Sequence, residues 1–459
     1  MTQRTVLILA AGQGTRMCSN LPKVLHTLAW KPILHHVLEA VQPLNPTRLL
    51  VVTGYGAQQV EAAFSERSIT WVRQKEQKGT GDAVRSALPE LRGTPGDLLI
   101  MAGDVPLIRT EILEQAFQSH VKSGCSLTLL STTLEHPTGY GRIVRDGTGM
   151  VQAVVEERDA TPEIRAIREI NSGIYLANLS RLEGWIGRLG NDNAQGEYYL
   201  PDIVAMAMNE GGVHAVHHAD GQSLEGINDR SQLARAEAVF RDRKVGALMA
   251  TGVTFVDPGS CFVAGDVTIG RDTVIAPQCI LGPGVKIGSD CRIGPFCHMV
   301  DSAIGDKVHI EPFCHLEGAE VTGDSGVGPF ARLRPGARMQ RGSKVGNFCE
   351  IKKSTIGEGS KVSHLAYIGD AEIGRKVNVG AGTITCNYDG KNKHKTVIED
   401  GVFIGSDTQL IAPVRLGKNA VIAAGTSVAK DVPEGALAIT RSPQKHVPDW
   451  NERKKKVTS

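Results

Sequence analysis

Aromatic residues are scarce in this chain of 459 residues: Phe, Trp and Tyr together make up 5 %. Whatever core it builds must therefore be mostly aliphatic. An excess of one charge is missing too, since 51 Lys and Arg stand against 49 Asp and Glu. That balance excludes a strongly basic nucleic-acid binder, which needs a large positive field. No stretch approaches the roughly 20 apolar residues of a membrane-spanning helix. The apolar run that ends at Gly12 is short and lacks a small-residue cleavage site, so no signal peptide is expected. Nine cysteines, an odd number in a long chain, do not suggest a disulfide framework. These absences lead to the expectation of a cytoplasmic protein with neither a nucleic-acid nor a membrane partner. What stands in excess is Gly, with 52 residues. Some part of the chain must turn tightly and often. With 41 % hydrophobic and 22 % charged residues the chain is not disordered as a whole, and its length fits two or three domains.

Residues 1–228 alternate β-branched runs with amphipathic segments. TVLILAA (5–11), RLLVVTG (48–54), ITWVRQ (69–74) and DLLIMAGD (97–104) read as buried strands. PILHHVLEAV (32–41) and GDAVRSALPEL (81–91) read as helices between them. Such alternation builds βαβ units and a Rossmann-like, mostly parallel α/β sheet, whose ligands bind at the carboxyl ends of the strands. GRIVRD (141–146) and VQAVVEER (151–158) read as a later antiparallel pair. Residues 229–250 read as one charged linker helix, with Asp229 and Ser231 both plausible N-caps.

From 251 to 437 the period changes, and 438–459 reads as a C-terminal tail. Ile269, Ile275, Leu281, Ile287, Ile293 and Met299 fall six apart. The series resumes at Ile304 and runs, with one-residue slips, through Leu333, Ile351 and Ile368 to Val379, then restarts at Ile404 and ends at Val428. A period of six fits neither helix nor flat strand; it is the hexapeptide repeat of a parallel β-helix. The series predicts about eight coils and a prism about 40 Å long at the usual strand spacing. Cys261, Cys279, Cys291, Cys297, Cys314 and Cys349 each lie two residues before a rung, where alternation turns them inward. They read as small buried hydrophobes rather than a metal or disulfide ladder. The polar insert NYDGKNKHKTVIEDG (387–401) breaks the series and reads as a projecting loop. Lys454, Lys455 and Lys456 read as a solvated tail.

Three places carry chemistry. LAAGQGTRM (9–17), followed by PKVL (22–25), runs a strand into a glycine turn and two cations, Arg16 and Lys23. Such a turn cradles anions, and two cations neutralise a polyphosphate whose charge moves to a leaving pyrophosphate. It is neither a P-loop nor a dinucleotide fingerprint. Asp104, at the end of another strand in MAGDVPL, can hold Mg²⁺ against phosphates. In the solenoid, His364 is expected to point away from the core. Arg332, Arg334, Lys352, Lys353 and Lys393 suggest a phosphate site beside it, and a neutral imidazole there suits a general base.

LAAGxGTRM with PKVL is the signature of sugar-nucleotide pyrophosphorylases. Joined to a hexapeptide solenoid, essentially the whole chain resembles the bacterial bifunctional N-acetylglucosamine-1-phosphate uridyltransferase/glucosamine-1-phosphate N-acetyltransferases. The resemblance implies that the β-helix is left-handed. It implies that Leu9, Ala10, Ala11 and Gly12 line a uridine and phosphate pocket, with Arg16 and Lys23 on the polyphosphate and Gln74, Gly79 and Thr80 reading uracil. Asp104 and Asn228 would hold Mg²⁺, and Gly139, Glu156 and Asn171 the amino sugar. Ala102 stands where some relatives have Tyr. In the solenoid it implies His364 as general base with Glu350 orienting it. Arg334, Lys352, Tyr367, Asn378 and Lys393 would bind glucosamine-1-phosphate, and Ala381, Asn387, Tyr388, Ser406, Ala424 and Arg441 acetyl-CoA. The implied assembly is a homotrimer with acetylation sites between subunits, and the co-substrates are UTP and acetyl-CoA.

Two other readings compete. A monofunctional nucleotidyltransferase would use its solenoid only to oligomerise, yet then needs neither the polar insert nor the His364, Lys352 and Lys393 set. A regulatory scaffold of the translation-initiation-factor type would not need Arg16, Lys23 and Asp104.

Overall fold

RTVLILA, RLLVVT and DLLIMA are apolar on both faces, and strands of that kind form parallel sheets covered on both sides. The computed structural model describes residues 4–457; residues 458 and 459 of the tail, and the side chains of Lys454, Lys455 and Lys456, lie outside the described residues. The chain divides into two units, Met1–Phe240 and Arg241–Ser459.

The first unit holds a nine-stranded sheet. Its strands are β1 (Arg4–Ala10), β2 (Arg48–Thr53), β3 (Thr70–Arg73), β4 (Asp97–Ala102), β5 (Leu127–Thr133), β6 (Arg142–Arg145), β7 (Val151–Val155), β8 (Glu169–Asn178) and β9 (Val213–His217). The order along the sheet is β9-β5-β8-β4-β1-β2-β3, with β6 and β7 attached beside β8. β1 lies parallel between β2 and β4, with Leu9 opposite Ala102 and Ala10 opposite Thr53. The strand β8 runs antiparallel to both neighbours, so the sheet is mixed. Alternate residues feed two cores: Leu7, Leu50 and Ile100 on one face, Ile8, Val51 and Met101 on the other. The expected helices are present at Ile33–Val41 and Thr80–Leu91, and the antiparallel pair is β6 with β7. Chain order reverses at β1, which opens a crevice at the carboxyl ends of β1 and β4.

The linker helix spans Arg230–Ala250, and Asp229 caps it by accepting the Gln232 N–H at 2.7 Å. Ser231 lies inside the helix.

In the second unit each coil contributes one short strand to each of three parallel sheets, of eleven, ten and nine strands. We call these the first, second and third faces; they begin at Thr254–Phe255, Phe262–Val263 and Thr268–Ile269. The hexad aliphatics face inward and form one continuous core. Each fully buried rung stabilises the coil by about 1.5–3 kcal/mol. Cys261, Cys279 and Cys297 stack as expected, tied by Phe262 N–H to the Cys279 carbonyl and Ile280 N–H to the Cys297 carbonyl, both at 2.9 Å. All nine cysteines are free thiols, and burial pushes Cys279 up to about 12.

Two expectations need correction. The strands make about ten coils rather than eight, because Phe255, Val263, Thr385, Ile398 and Ala438 also occupy strands. The break in the series is also shorter than its sequence suggests. Thr385 sits on a rung six after Val379, and Ile398 sits six before Ile404. Only residues 387–395 loop out; 396–401 rejoin the prism through Thr396–Ile398.

Candidate functional site

The first site forms at the crevice. β1 ends at Ala10, and the chain turns through Gly14 at φ 66°. A Cβ on Gly14 would lie 2.7 Å from the Lys23 Cβ, so only glycine lets the turn close on the PKVL segment. Lys23 then points at the end of β4: its ammonium contacts the Asp104 carboxylate and lies 3.2 Å from Asn228 Oδ1. Three residues far apart in the chain thus converge on one point.

Beside them opens a cavity of about 460 Å³. Of the residues singled out in the sequence, Leu9, Ala10, Ala11, Gly12, Lys23, Gln74, Gly79, Thr80, Asp104, Glu156 and Asn171 line it. Gln74 spends its amide donors on the Gly79 carbonyl (3.1 Å) and Asp82 (2.8 Å), which leaves its carbonyl oxygen as an acceptor. Burial, then the charges of Asp202 and Asp159, push the Glu156 carboxyl up; burial pushes Asp202 up as well. Arg16 sits in the turn Thr15–Met17, exposed and outside the cavity lining.

One of the expected residues lies apart. Gly139 is exposed, with open space around it, whereas Gly141 is the buried glycine of PTGYGR. A Cβ on Gly141 would lie 3.2 Å from Glu156 Oε1, and its carbonyl accepts the Asn171 N–H at 2.9 Å. The glycine that meets Glu156 and Asn171 is therefore Gly141. Tyr175 and Glu197, not singled out in the sequence, also line the cavity. Tyr175 takes its place because its hydroxyl accepts from Asn171 at 2.6 Å.

The second site gathers around one corner of the solenoid. His364 ends the strand Lys361–His364 on the first face and is exposed. It lies two residues after the rung Val362, where strict alternation would bury it. It escapes because the corner begins there, with Leu365 at φ 47°. Its Nδ1 lies 2.7 Å from Asn347 Oδ1, the residue opposite it one coil earlier. An acceptor at Nδ1 fixes the proton there and leaves Nε2 as the basic nitrogen. The resemblance gives that orienting role to Glu350, but Glu350 pairs with Arg334 at 2.8 Å instead. Asn347 was missed because nothing in a linear reading links positions 17 apart.

On the adjacent second face stand Arg334, Lys352 and Tyr367. Lys393, in the loop, comes up against Lys352 and pushes its ammonium pKa down by repulsion, with Arg334 adding to the effect. Cations pressed together this way make an anion site. The loop is folded around Asp389, which accepts from Lys391 N–H (2.8 Å), Asn392 N–H (2.7 Å) and His394 (2.7 Å). Those bonds hold its carboxyl well below the usual range. Asn387 is anchored by donating to Asp370, while Tyr388 is exposed and donates to the Gly390 carbonyl at 2.6 Å. Asn378 lies apart from this group, on the first face opposite Lys361. Ala381, Ser406, Ala424 and Arg441 form a column at the corner that follows the first face: Asp407 N–H donates to Ala381, Gly425 N–H to Ser406, and Arg441 to Ala424.

Comparison with known proteins agrees with both halves. A MobA-like NTP transferase domain model matches residues 6–170, and the bacterial transferase hexapeptide model (six repeats) matches 266–301 and 395–430. The chain is 48 % identical over 457 residues to "Bifunctional protein GlmU" of Trichlorobacter lovleyi, covering 99 % of both chains. It is 48 % identical over 451 residues to that of Methylococcus capsulatus, covering 98 % of this chain and 97 % of the relative. It is 46 % identical over 458 residues to that of Marinobacter nauticus, covering 99 % and 100 %. With both sites assembled and likeness of this extent along its whole length, the chain belongs to the GlmU family of bifunctional uridyltransferase/acetyltransferase enzymes.

Proposed function

We propose that the first unit transfers UMP from UTP to N-acetylglucosamine-1-phosphate, releasing pyrophosphate, and that the second acetylates glucosamine-1-phosphate with acetyl-CoA beforehand. One observation carries the reading: each unit keeps its own assembled charged cluster, Lys23 with Asp104 and Asn228 in one, Lys352 with Lys393 and Arg334 in the other. A solenoid that served only to oligomerise needs no such second cluster. The activities are assigned to residues 1–228 and 251–437.

In the uridylyl site, the Gln74 carbonyl oxygen suits the imide N–H of uracil, which cytosine lacks. Asn171 and Glu156, beside Gly141, suit the acetamido sugar. Lys23 and Arg16 neutralise the triphosphate while the sugar phosphate attacks the α-phosphorus in line; positioning and charge do most of the work. Asp104 and Asn228 offer two hard oxygen donors converging on one point, which fits Mg²⁺, an ion that fills its remaining positions from phosphate and water. Bound there, Mg²⁺ would supply charge neutralisation on the phosphates.

In the acetyl site, His364 Nε2 takes a proton from the glucosamine amine while Asn347 holds the ring. The amine nitrogen bonds to the thioester carbonyl carbon, the C–S bond breaks, and the proton passes to the CoA thiolate. Arg334, Lys352 and Lys393 hold the sugar phosphate with Tyr367. CoA lies along the Ala381, Ser406, Ala424 and Arg441 column, with Asn387 and Tyr388 near the thioester. Asn378, away from this group in its own chain, would serve a neighbour's pocket in a homotrimer. We further place the enzyme in the cytoplasm; among the described residues no helix is long and apolar enough to cross a membrane.

The test is a product assay with glucosamine-1-phosphate, acetyl-CoA, UTP and Mg²⁺, each omitted in turn. The full mixture should give UDP-N-acetylglucosamine, and omission of acetyl-CoA should stop it unless N-acetylglucosamine-1-phosphate is added. Product without acetyl-CoA, or none from the full mixture, rejects the reading.

A further inference from the structure

Between the amino-sugar end and the cation end of the first site stands Tyr140, to which neither chemistry assigns a task. It precedes Gly141, the glycine that meets Glu156 and Asn171. Its backbone is pinned on both sides. The Tyr140 N–H donates to the Pro137 carbonyl at 3.2 Å, and the Tyr140 carbonyl accepts from the Arg142 guanidinium. That guanidinium is itself fixed: Arg142 is 2 % exposed, donates to the Ile167 carbonyl at 3.0 Å and pairs with Glu157 at 2.7 Å. A ring rooted this firmly can hold another segment in place.

The segment it holds carries Asn228. The Tyr140 hydroxyl accepts the Gly226 N–H at 3.2 Å, across 86 residues of chain. Two further bonds fix the same loop: the Ile227 N–H donates to the Asp104 carbonyl at 2.9 Å, and the Asn228 N–H to Gln232 Oε1 at 2.6 Å. Of these three, only the bond from Gly226 reaches the segment that leads into the amino-sugar residues. Gly226 also packs on the cation donor itself, since a Cβ there would lie 3.4 Å from Asp104 Oδ1. Burial, then the charge of Glu225, push the Tyr140 hydroxyl up to about 12. It therefore stays protonated at neutral pH, and meets the backbone N–H without adding a charge beside Asp104.

We propose that Tyr140 is a positioning residue for the divalent cation: its hydroxyl sets residues 226–228 so that the Asn228 side chain converges with Asp104, and it ties that convergence to the segment beside the amino sugar. The proposal rests on the Mg²⁺ reading of Asp104 and Asn228 above, and adds the group that brings the two donors together. Asp104 follows β4, which the sheet holds between β1 and β8. Asn228 sits in a loop ahead of the linker helix and needs outside bonds to keep its place. Mg²⁺ demands near-ideal octahedral geometry, so a displaced donor weakens the metal first and the nucleotide only through the metal.

Tyr140→Phe keeps the ring and deletes the hydroxyl. The measurement is UTP binding by titration calorimetry over a series of Mg²⁺ concentrations, without sugar phosphate, so that no turnover occurs. The Mg²⁺ concentration at the midpoint should rise about three- to tenfold, the contribution of one neutral hydrogen bond. UTP affinity at saturating Mg²⁺ should match wild type. Uridylyl transfer should fall at low Mg²⁺ and recover at high Mg²⁺, with acetyl transfer unchanged. An unmoved midpoint overturns the proposal, and so does a loss of uridylyl transfer that no Mg²⁺ concentration restores. A wild-type chain whose UTP binding ignores Mg²⁺ overturns the metal reading itself, and the proposal falls with it. Should the variant fail to fold, a fluorinated tyrosine at position 140 of the otherwise unchanged chain replaces it. A fluorine resonance that shifts when Mg²⁺ joins the UTP-bound chain supports the proposal. One that stays still, in a chain whose UTP binding depends on Mg²⁺, rejects it.

Discussion

At the scale of single residues, the second site turns on one hydrogen bond. Asn347 gives His364 its tautomer, so Asn347→Ala should lower kcat of acetyl transfer by about ten- to a hundredfold with little change in KM for either substrate, as loss of an outer partner of a working imidazole does. Steady-state kinetics check this; an unchanged kcat would return the orienting role to another group. In the first site the informative residue is Glu156. Burial raises its folded-state pKa, so the folded chain binds a proton more readily than the unfolded one. Stability is therefore lost as pH rises from the ordinary Glu range near about 4 through the raised value. Glu156→Gln should unfold at a higher temperature than wild type at pH 7, and the gap should close on acidification towards pH 4. Thermal melts across that range decide it; a gap that widens on acidification contradicts the assignment. These residues differ in how far the chain announced them. Lys23, in the PKVL segment after the glycine turn, and Asp104, just past an apolar strand, could be named from the sequence. Asn347 became visible only when the coil brought it opposite His364. Gly141 was hidden because PTGYGR holds two glycines and only folding tells which one touches Glu156.

At the scale of elements, sixfold spacing made the solenoid readable because one aliphatic rung per face must be buried whatever else changes. It failed where a rung is not aliphatic, as at Thr385, and where a loop hid the return to register, as at Ile398. The same loop carries an expectation of its own. Asp389 holds it closed through two backbone N–H groups and His394. Asp389→Ala should free Lys393 from Lys352 and raise KM for glucosamine-1-phosphate about tenfold, the worth of one charge-assisted contact of roughly 1.4 kcal/mol. The KM for acetyl-CoA and the uridylyl reaction should hold. A variant with an unchanged KM for the sugar phosphate would separate the loop from phosphate binding. The glycine excess and the aromatic scarcity also find their reason here, in corners that turn at every rung and a core of Val, Ile and Leu.

At the scale of the whole molecule, two activities on one chain should be separable. His364→Ala should cost acetyl transfer about 10²–10⁴-fold, the range for a general base. It should leave uridylyl transfer from N-acetylglucosamine-1-phosphate near wild type. Asp104→Ala should do the reverse. Parallel assays of both half-reactions measure this, and loss of both activities in either variant contradicts the two-site assignment. The overall plan was legible early, since strand–helix alternation and sixfold repetition cannot be mistaken for one another. The stacking of Phe296, Phe313, Phe330 and Phe348 was not, because a Phe three residues before a rung carries no message until the corner is seen.

Stacking coil on coil has one further outcome. Each coil is bonded chiefly to its immediate neighbours, so a coil duplicated between Cys279 and Cys297 would meet the same contacts above and below as the original. The His364 corner would then stand farther from Phe255 by one strand spacing of about 4.8 Å, with its own surroundings intact. The prism is in that sense a ruler with fixed graduations, and evolution can lengthen or shorten it without redrawing the pocket at its mark.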